Sequence, residues 1–250
     1  MTVSSNCTAR SRTSSSDARS VDAEMSHRVL ATLTIGQAPR PDIAPVVEAS
    51  MPHGVRCVHA GVLDGLTRAE MNRRFAPRKM QPKLVTRIAD GTTVVLDKEA
   101  VGVAMQEMLG RLEARGCDAV LLLCTGEFDG LSCRRARLFE PDKMIPAVVG
   151  VMAQSWKVGV IVPLREQIET ATSKWQRLAT PALYEAWSPY TGDNRALTAA
   201  ARALRARGAQ MLVLDCMGYE QRHREYASHE ARCPVILSNS LAAKLVAEWI

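Results

Sequence analysis

Hydrophobic and polar positions alternate along the chain in two different ways after Met25. Short apolar runs, typical of buried strands, are followed by longer stretches in which apolar residues recur every three or four positions, as on one face of a helix. The pattern predicts strands over 29–35 and 55–63 and helices over 41–50 and 67–75. Strands that alternate with helices in this way indicate an α/β fold with mostly parallel sheets.

The stretch 86–96 departs from this alternation. Asp90-Gly91 lies between two β-prone segments, and this dipeptide predicts a two-stranded hairpin. The alternation then resumes with a helix over 99–115 and a buried aliphatic strand over 119–123.

The second half of the chain repeats the scheme of the first. Its pattern predicts strands over 157–162, 183–186 and 211–214, helices over 164–177 and 197–207, and a closing strand and helix over 234–250. RLEARGCDAVLLLCTG at 111–126 matches RALRARGAQMLVLDCMG at 202–218 in kind and order, from a basic helix end through a glycine to an aliphatic strand. Each segment then places a cysteine and a glycine after the strand. The chain is therefore predicted to consist of two similar halves with one cysteine each, Cys124 and Cys216, at a strand end.

Composition and charge narrow the function classes. The chain has 250 residues and a net charge of +6, but the basic residues are scattered along amphipathic stretches. Because no RNA-binding, zinc-finger or helix-turn-helix signature accompanies this charge, no nucleic-acid partner is predicted. No apolar run approaches the ~18 residues that a membrane span requires, so no membrane partner is predicted either. Residues 1–26 are rich in Ser, Thr and Arg and are predicted to be a disordered extension, with Met25 as an alternative first residue.

The cysteines indicate free thiols. Seven cysteines form an odd set without a CxxC pair, which is typical of a reduced, cytoplasmic setting. No histidine cluster has zinc-ligand spacing, so no metal site is predicted. Four of the cysteines are interpreted as small core residues: Cys57, Cys117, Cys133 and Cys233.

Cys124 and Cys216 are candidates for chemistry because ligands of open α/β sheets bind beyond the carboxyl ends of the strands. Inversion of a carbon next to a carboxylate needs one group that removes a proton from one face and another that returns a proton to the opposite face. Two facing thiols can do both without a cofactor, if Thr125 and the backbone amides after each cysteine stabilise the developing negative charge. A helix predicted to begin near Gly218 would favour the thiolate form of Cys216.

Two polar residues near Cys216 are candidates to assist it. His223 lies on the same predicted helix face as Cys216, but a single histidine there also fits a capping or surface role. Asp215 either orients a thiol or bonds to the backbone. The pattern leaves both alternatives open.

Five segments resemble motifs of the AroM family. They are TIGQAPRPD at 34–42, LDGL at 63–66, LFEPDKMIP at 138–146, VGVIVPL at 158–164 and LDCMGYEQRHR at 214–224. The resemblance extends over 28–250. The AroM family is in turn similar to the aspartate/glutamate racemase superfamily, which includes amino-acid and hydantoin racemases, maleate isomerase and arylmalonate decarboxylase. That resemblance implies two pseudo-symmetric flavodoxin-like domains, one over 27–150 plus 234–250 and the other over 151–233.

The resemblance also implies roles for individual residues. The catalytic cysteines of the superfamily correspond to Cys124 and Cys216, and substrate contacts are implied for the residues that follow them: Thr125, Gly126, Met217 and Gly218. The usual Asn-Thr and Thr-His pairs at these positions are replaced here, so amino-acid specificity does not carry over.

The loop after the first strand holds substrate in the superfamily, and here it carries Gly36, Gln37 and Arg40. We expect Arg40 to bind a substrate carboxylate through both arms of its guanidinium. In the alternative interpretation, Arg40 anchors this proline-flanked loop to its own backbone.

These observations predict a cofactor-independent racemase or epimerase that acts on a small carboxylate-containing substrate. One alternative is an isomerase or decarboxylase of the same fold that uses a single cysteine. Another is a non-catalytic carboxylate-binding protein linked to aromatic (shikimate) metabolism. The sequence leaves the substrate, the reaction and the formation of a homo-oligomer open.

Overall fold

The computed structural model describes residues 28–78, 81–190 and 192–250. The predicted extension over 1–26 lies outside the described residues. The strands are β1 (Val29–Thr34), β2 (Arg56–Gly61), β3 (Lys83–Arg87), β4 (Thr93–Asp97), β5 (Ala119–Leu123), β6 (Arg137–Phe139), β7 (Val158–Val162), β8 (Leu183–Ala186), β9 (Met211–Leu214) and β10 (Val235–Leu237). The helices are α1 (Ala44–Glu48), α2 (Arg68–Phe75), α3 (Lys98–Ala114), α4 (Pro141–Ala153), α5 (Gln167–Lys174), α6 (Asn194–Ala206), α7 (Gln221–Ala231) and α8 (Ser238–Ala247).

Two four-stranded sheets form the framework, and all their strand pairs are parallel. Every residue of β1, β5, β7 and β9 is buried, as expected when helices cover both faces of a parallel sheet. The α/β class with mostly parallel sheets is therefore confirmed.

The two sheets have the same internal order. The first runs β2-β1-β5-β6, and the second, taken from its other edge, runs β8-β7-β9-β10. Strands β5 and β9 thus occupy equivalent third positions. Cys124 and Cys216 follow these two strands, so the repeat recognised in the sequence corresponds to equivalent places in the two sheets.

The helices that precede β5 and β9 begin and end in the same way. The side chain of Asp97 accepts a hydrogen bond from a backbone N–H in the first turn of α3, and Asp193 does the same for α6. Gly116 and Gly208 follow these helices with φ angles of +79° and +94°, where a side chain would be strained. This local chemistry explains why each half carries a glycine before its buried strand.

Strands β3 and β4 form an antiparallel hairpin that stands apart from both main sheets. Its turn contains Gly91 at a φ of +82°, as the Asp90-Gly91 signal predicted. The hairpin begins at Lys83, before the predicted start, and it lies over the loop that follows β1.

The end of the chain joins the two halves. Strand β10 pairs with β9 and so belongs to the second sheet, which contradicts the expectation that it returns to the first. Helix α8 does return to the first half, where it packs against α1 and α4. Its residues Ala242, Ala243 and Val246 are buried in one apolar cluster with Leu30 and Ile43.

Candidate active site

A cavity of about 340 Å³ lies between the carboxyl ends of the two sheets. Residues just beyond four central strands line it, among them Ile35, Cys124, Pro163 and Cys216. The hairpin β3–β4 and helix α5 supply further walls. Both candidate cysteines therefore share one cavity, in the position where α/β sheets bind their ligands.

Cys124 follows β5 and is buried in an apolar cluster. Its Sγ accepts a hydrogen bond of 3.3 Å from the backbone N–H of Gly126. Burial is the main reason that the pKa of the Cys124 thiol is raised to about 12; the Gly126 N–H bond and the charge of Lys174 act to lower this pKa, and the charges of Cys216 and Asp142 act to raise it. At neutral pH this residue is a thiol, which suits a proton donor.

Cys216 has more polar surroundings than Cys124. Burial raises the pKa of its thiol, but the Gly218 N–H, the Tyr190 hydroxyl and the charge of Arg40 all act to lower that pKa. The Tyr190 hydroxyl oxygen lies 3.7 Å from Cys216 Sγ. Helix α7 begins only at Gln221, so these groups, and not the predicted helix start near Gly218, favour the thiolate.

Arg40 lines the cavity, but its guanidinium is bound to a carboxylate of the same loop. Nε and Nη2 donate to the two oxygens of Asp42 at 2.9 and 2.6 Å. The remaining donors face Thr86 Oγ1 at 3.2 Å and the Tyr190 hydroxyl at 3.2 Å. Asp42 therefore takes the place on the Arg40 guanidinium that we expected a substrate carboxylate to occupy. Arg40 anchors its own loop and positions Tyr190.

Gly36 and Gln37 hold the hairpin and do not line the cavity. A Cβ atom on Gly36 would lie 2.5 Å from the Arg87 backbone oxygen, so only glycine permits this close approach of the hairpin. The Gln37 amide donates to Leu63 O at 3.1 Å and accepts from Ala89 N at 2.9 Å. Gly36 and Gln37, which the resemblance assigned to substrate binding, therefore have structural roles here.

The residues that follow the cysteines divide into two groups. Thr125, Gly126 and Met217 line the cavity. Gly218 does not, and a Cβ atom there would overlap the Tyr190 ring and hydroxyl. Within the described ranges, the backbone N–H groups of Thr125 and Met217 meet no hydrogen-bond acceptor, so both can donate to a ligand.

Asp215 belongs to a buried network between the two cysteine segments. Its carboxylate forms an ion pair with Lys174 and accepts a 3.0 Å hydrogen bond from Trp175 Nε1. The Asp215 backbone oxygen accepts from Thr125 Oγ1 at 3.1 Å, and Lys174 Nζ donates to Thr125 O at 2.9 Å. The network joins the residue after Cys124 to the residue before Cys216, so it fixes the two segments relative to each other.

His223 is buried away from the cavity lining. Its Nδ1 accepts a 2.9 Å hydrogen bond from the Glu220 backbone N–H at the start of α7. The ring packs edge-on against Trp187 and Tyr219, and burial lowers its pKa. The capping alternative is therefore the one that this histidine fulfils.

Tyr190 and Lys174 are among the polar groups of the cavity that sequence reasoning missed. Tyr190 lies in the loop after β8 and reaches Cys216 across the cavity. Lys174 is the last residue of α5 and resembles the basic residues that end many helices. No local pattern distinguishes either residue, because their partners come from the other half of the chain or from a distant loop.

Metal-ligand clusters and membrane-spanning helices are both absent from the described part of the chain. No group of three or more His, Cys, Asp or Glu side chains could hold a metal ion there. None of the described helices combines the length and the apolar character needed to cross a membrane.

Solved structures with a similar fold include several racemases. Allantoin racemase from Klebsiella pneumoniae is 17% identical with a TM-score of 0.59, and the match covers 88% of this chain and 86% of that one. Glutamate racemase from Thermus thermophilus, in complex with beta-chloro-D-alanine, is 16% identical with a TM-score of 0.59 and coverages of 89% and 80%. An arylmalonate decarboxylase is 13% identical with a TM-score of 0.51 and coverages of 88% and 91%. At such identities the likeness shows a common fold.

Sequence comparison identifies the family. No curated protein matches the chain. The family model described as AroM protein matches residues 30–250, which include all but the first residue of the two sheets, the hairpin and every residue of the candidate site, and the chain therefore belongs to the AroM family.

Proposed function

We propose that this protein is a cofactor-independent racemase or epimerase that inverts the carbon next to the carboxylate of a small metabolite. One observation carries the proposal: two cysteines at equivalent strand ends of two similar sheets line the same cavity. Such a pair can reach a bound carbon from two sides, which is what inversion through proton transfer requires.

The unequal surroundings of the thiols assign their roles in one direction of the reaction. Burial raises the pKa of both thiols, and Cys216 is the base because the Tyr190 hydroxyl, the Gly218 N–H and Arg40 offset part of that rise. Cys124 is the acid, because burial holds its pKa at about 12. Cys216 Sγ takes the proton from one face of the carbon, and Cys124 Sγ–H gives a proton to the other face. In the reverse direction the two roles exchange.

The negative charge that develops on the carboxylate needs nearby donors in a site with little water. Thr125 and Met217 line the cavity directly after the two cysteines, and their backbone N–H groups are suited to this task. Apolar walls from Leu84, Val162 and Ala171 lower the local dielectric and strengthen these interactions.

Hydrogen–deuterium exchange tests this proposal. The protein is incubated in heavy water with single enantiomers of 2-amino, 2-hydroxy and 2-aryl carboxylic acids. We expect deuterium at C2 together with inversion for at least one acid, and loss of both in Cys124→Ser and Cys216→Ser. Cys233→Ser, which removes a cysteine outside the cavity, should retain exchange. If wild-type protein exchanges no acid of the panel, the proposal is wrong.

A one-cysteine isomerase or decarboxylase is a second candidate, and the asymmetry of the site favours it. Cys216 has a hydroxyl and a guanidinium nearby, whereas Cys124 has a backbone N–H. If Cys124→Ser retains most turnover while Cys216→Ser loses it, two-base inversion is untenable and the second candidate stands.

A carboxylate-binding protein without turnover, linked to aromatic metabolism, is the remaining alternative. Thermal stabilisation by an acid that shows neither exchange nor decarboxylation would identify it. The cytoplasmic location and the homo-oligomer stay predictions.

A further inference from the structure

Lys174 brings a positive charge into the cavity from the end of α5. Its side chain lines the cavity and is 7% exposed. The ammonium forms an ion pair with Asp215 and donates to Thr125 O at 2.9 Å. Thr125 follows Cys124 and Asp215 precedes Cys216, so this charge stands between the two cysteine segments.

The donors of Lys174 are not exhausted by these contacts. An ammonium group carries three N–H donors. One donates to Thr125 O and another faces the Asp215 carboxylate; the ammonium also lies 5.7 Å from the centroid of the Trp175 ring, and the described residues show no third hydrogen-bond acceptor for it. Arg40 differs in this respect, because the fork of its guanidinium is held by both oxygens of Asp42.

The Asp215 carboxylate also has an oxygen that accepts no hydrogen bond. Its Oδ2 faces both Lys174 and Trp175 Nε1, whereas its buried Oδ1 has no hydrogen-bond partner in the described chain. Lys174 thus has a spare donor at the wall of the cavity, whereas the unpartnered Oδ1 of Asp215 is buried. Buried polar groups with unused bonding capacity commonly meet a ligand or water.

We propose that Lys174 binds the substrate carboxylate, in the place that the sequence assigned to Arg40. This inference rests on the proposed function and names the group that recognises the substrate class, small monocarboxylates with a reactive carbon at C2. A carboxylate held by Lys174 and by the N–H groups of Thr125 and Met217 lies between the segment of Cys124 and the segment of Cys216. The ammonium also stabilises the additional negative charge that the carboxylate acquires when C2 loses its proton.

Alkylation by two matched reagents tests the proposal without a known substrate. Iodoacetate carries its reactive carbon next to a carboxylate, and iodoacetamide has a neutral amide at the same place. Each reagent forms an S–CH₂ bond with the thiolate and releases iodide. The ratio of the two rates at one cysteine removes the effect of the thiolate fraction, because both reagents attack the same thiolate.

The ratio of iodoacetate to iodoacetamide rates is measured for each cysteine by peptide mass spectrometry. In wild-type protein we expect the ratio at the reacting cavity cysteine to exceed that of glutathione. Lys174→Met should lower the ratio about tenfold, the effect of one charge-assisted hydrogen bond. Lys174→Arg should retain much of it. Lys143→Met, which removes an exposed lysine of α4, should leave the ratio unchanged.

Loss of Lys174 alone leaves Asp215 buried without its ion-pair partner and can prevent folding. The double variant Lys174→Met/Asp215→Asn removes both charges and should give the same low ratio in a folded protein. A wild-type ratio equal to that of glutathione, or a ratio unchanged in both variants, would overturn the inference. Since alkylation needs no turnover, this outcome is independent of the deuterium-exchange result.

Discussion

Tyr190 makes the two cavity thiols inequivalent. Its hydroxyl accepts a hydrogen bond from Arg40 and lies 3.7 Å from Cys216 Sγ. Burial and the charge of Cys216 hold the pKa of Tyr190 well above its ordinary value, so the hydroxyl keeps its proton and can donate it to the sulfur. Cys124 has no comparable neighbour among the residues that the structure describes.

Removal of the Tyr190 hydroxyl should therefore affect Cys216 selectively. The hydroxyl acts to lower the pKa of Cys216, so Tyr190→Phe raises that pKa further and reduces the thiolate fraction at any pH below it. We expect iodoacetamide to alkylate Cys216 about 3- to 10-fold more slowly at pH 8. The measurement is the pH–rate profile of each cysteine.

The matched control is Tyr226→Phe, which removes the hydroxyl of an exposed tyrosine on α7. It should leave the profile of Cys216 unchanged. A Tyr190→Phe profile identical to wild type would show that the hydroxyl does not act on the sulfur.

The sequence predicted the site residues that lie directly after buried strands. It missed the residues whose roles depend on contacts with distant parts of the chain. Cys124 and Cys216 follow buried strands, and strand ends meet at one edge, so both were located in advance. Arg40 was assigned to a substrate carboxylate because its loop holds substrate in the resembled superfamily, and the sequence gives no direction for its side chain relative to Asp42. Lys174 approaches from a helix end, where a lysine is common for reasons unrelated to a ligand.

The hairpin β3–β4 depends on the glycine that it covers. The loop after β1 passes directly beneath the hairpin at Gly36, where an added Cβ would press against backbone and Thr86. Gln37 bonds to the hairpin at Ala89, and Thr86 of β3 accepts a hydrogen bond from Arg40. The hairpin therefore holds one wall of the cavity and the arginine that positions Tyr190.

Gly36→Ala should separate the hairpin from this loop. The added methyl group would meet the backbone oxygen of Arg87, which cannot move aside as a flexible side chain can. We therefore expect the free energy of unfolding, measured with denaturant, to fall by about 1–3 kcal/mol. Gly110→Ala is the matched control, because nothing lies within 4 Å of the added methyl group in helix α3. The control should stabilise the protein by about 0.5–1 kcal/mol. Equal effects of the two substitutions would contradict this account of Gly36.

Most elements were predictable because the hydrophobic period of the segment and the residues at its two ends indicate the same kind of element. The strand Ala119–Leu123 and the strand Leu183–Ala186 have the predicted bounds. Helix α4 was missed, since Pro141 and Pro146 within the segment indicate a break in a helical pattern. Pro141 occupies the first turn, where its missing N–H costs nothing, but that position is visible only once the helix start is known.

At the scale of the whole molecule, one apolar cluster crosses from the first half to the second. It contains Leu30 of β1, Val246 of α8 and Met217, the residue after Cys216. Helix α8 is continuous with β10, whose strand partner is β9. The predicted division into two domains stays a prediction, but the two halves share this part of their core.

Val246→Ala should therefore weaken both halves together. Val246 is fully buried, and its truncation is expected to cost about 1–3 kcal/mol. In hydrogen exchange, amides of β1 and β9 should lose protection in parallel. Val151→Ala, at a position 78% exposed on α4, should change neither. Protection that falls in β1 while β9 is unaffected would show that the halves unfold independently.

The crossing of the chain at residues 237 and 238 decides how this protein can be divided. A single cut before β10 would take an edge strand from one sheet and a covering helix from the other. Neither fragment would then be a complete folding unit. Split-protein or circularly permuted versions must keep β10 and α8 together, with new termini in loops remote from that junction.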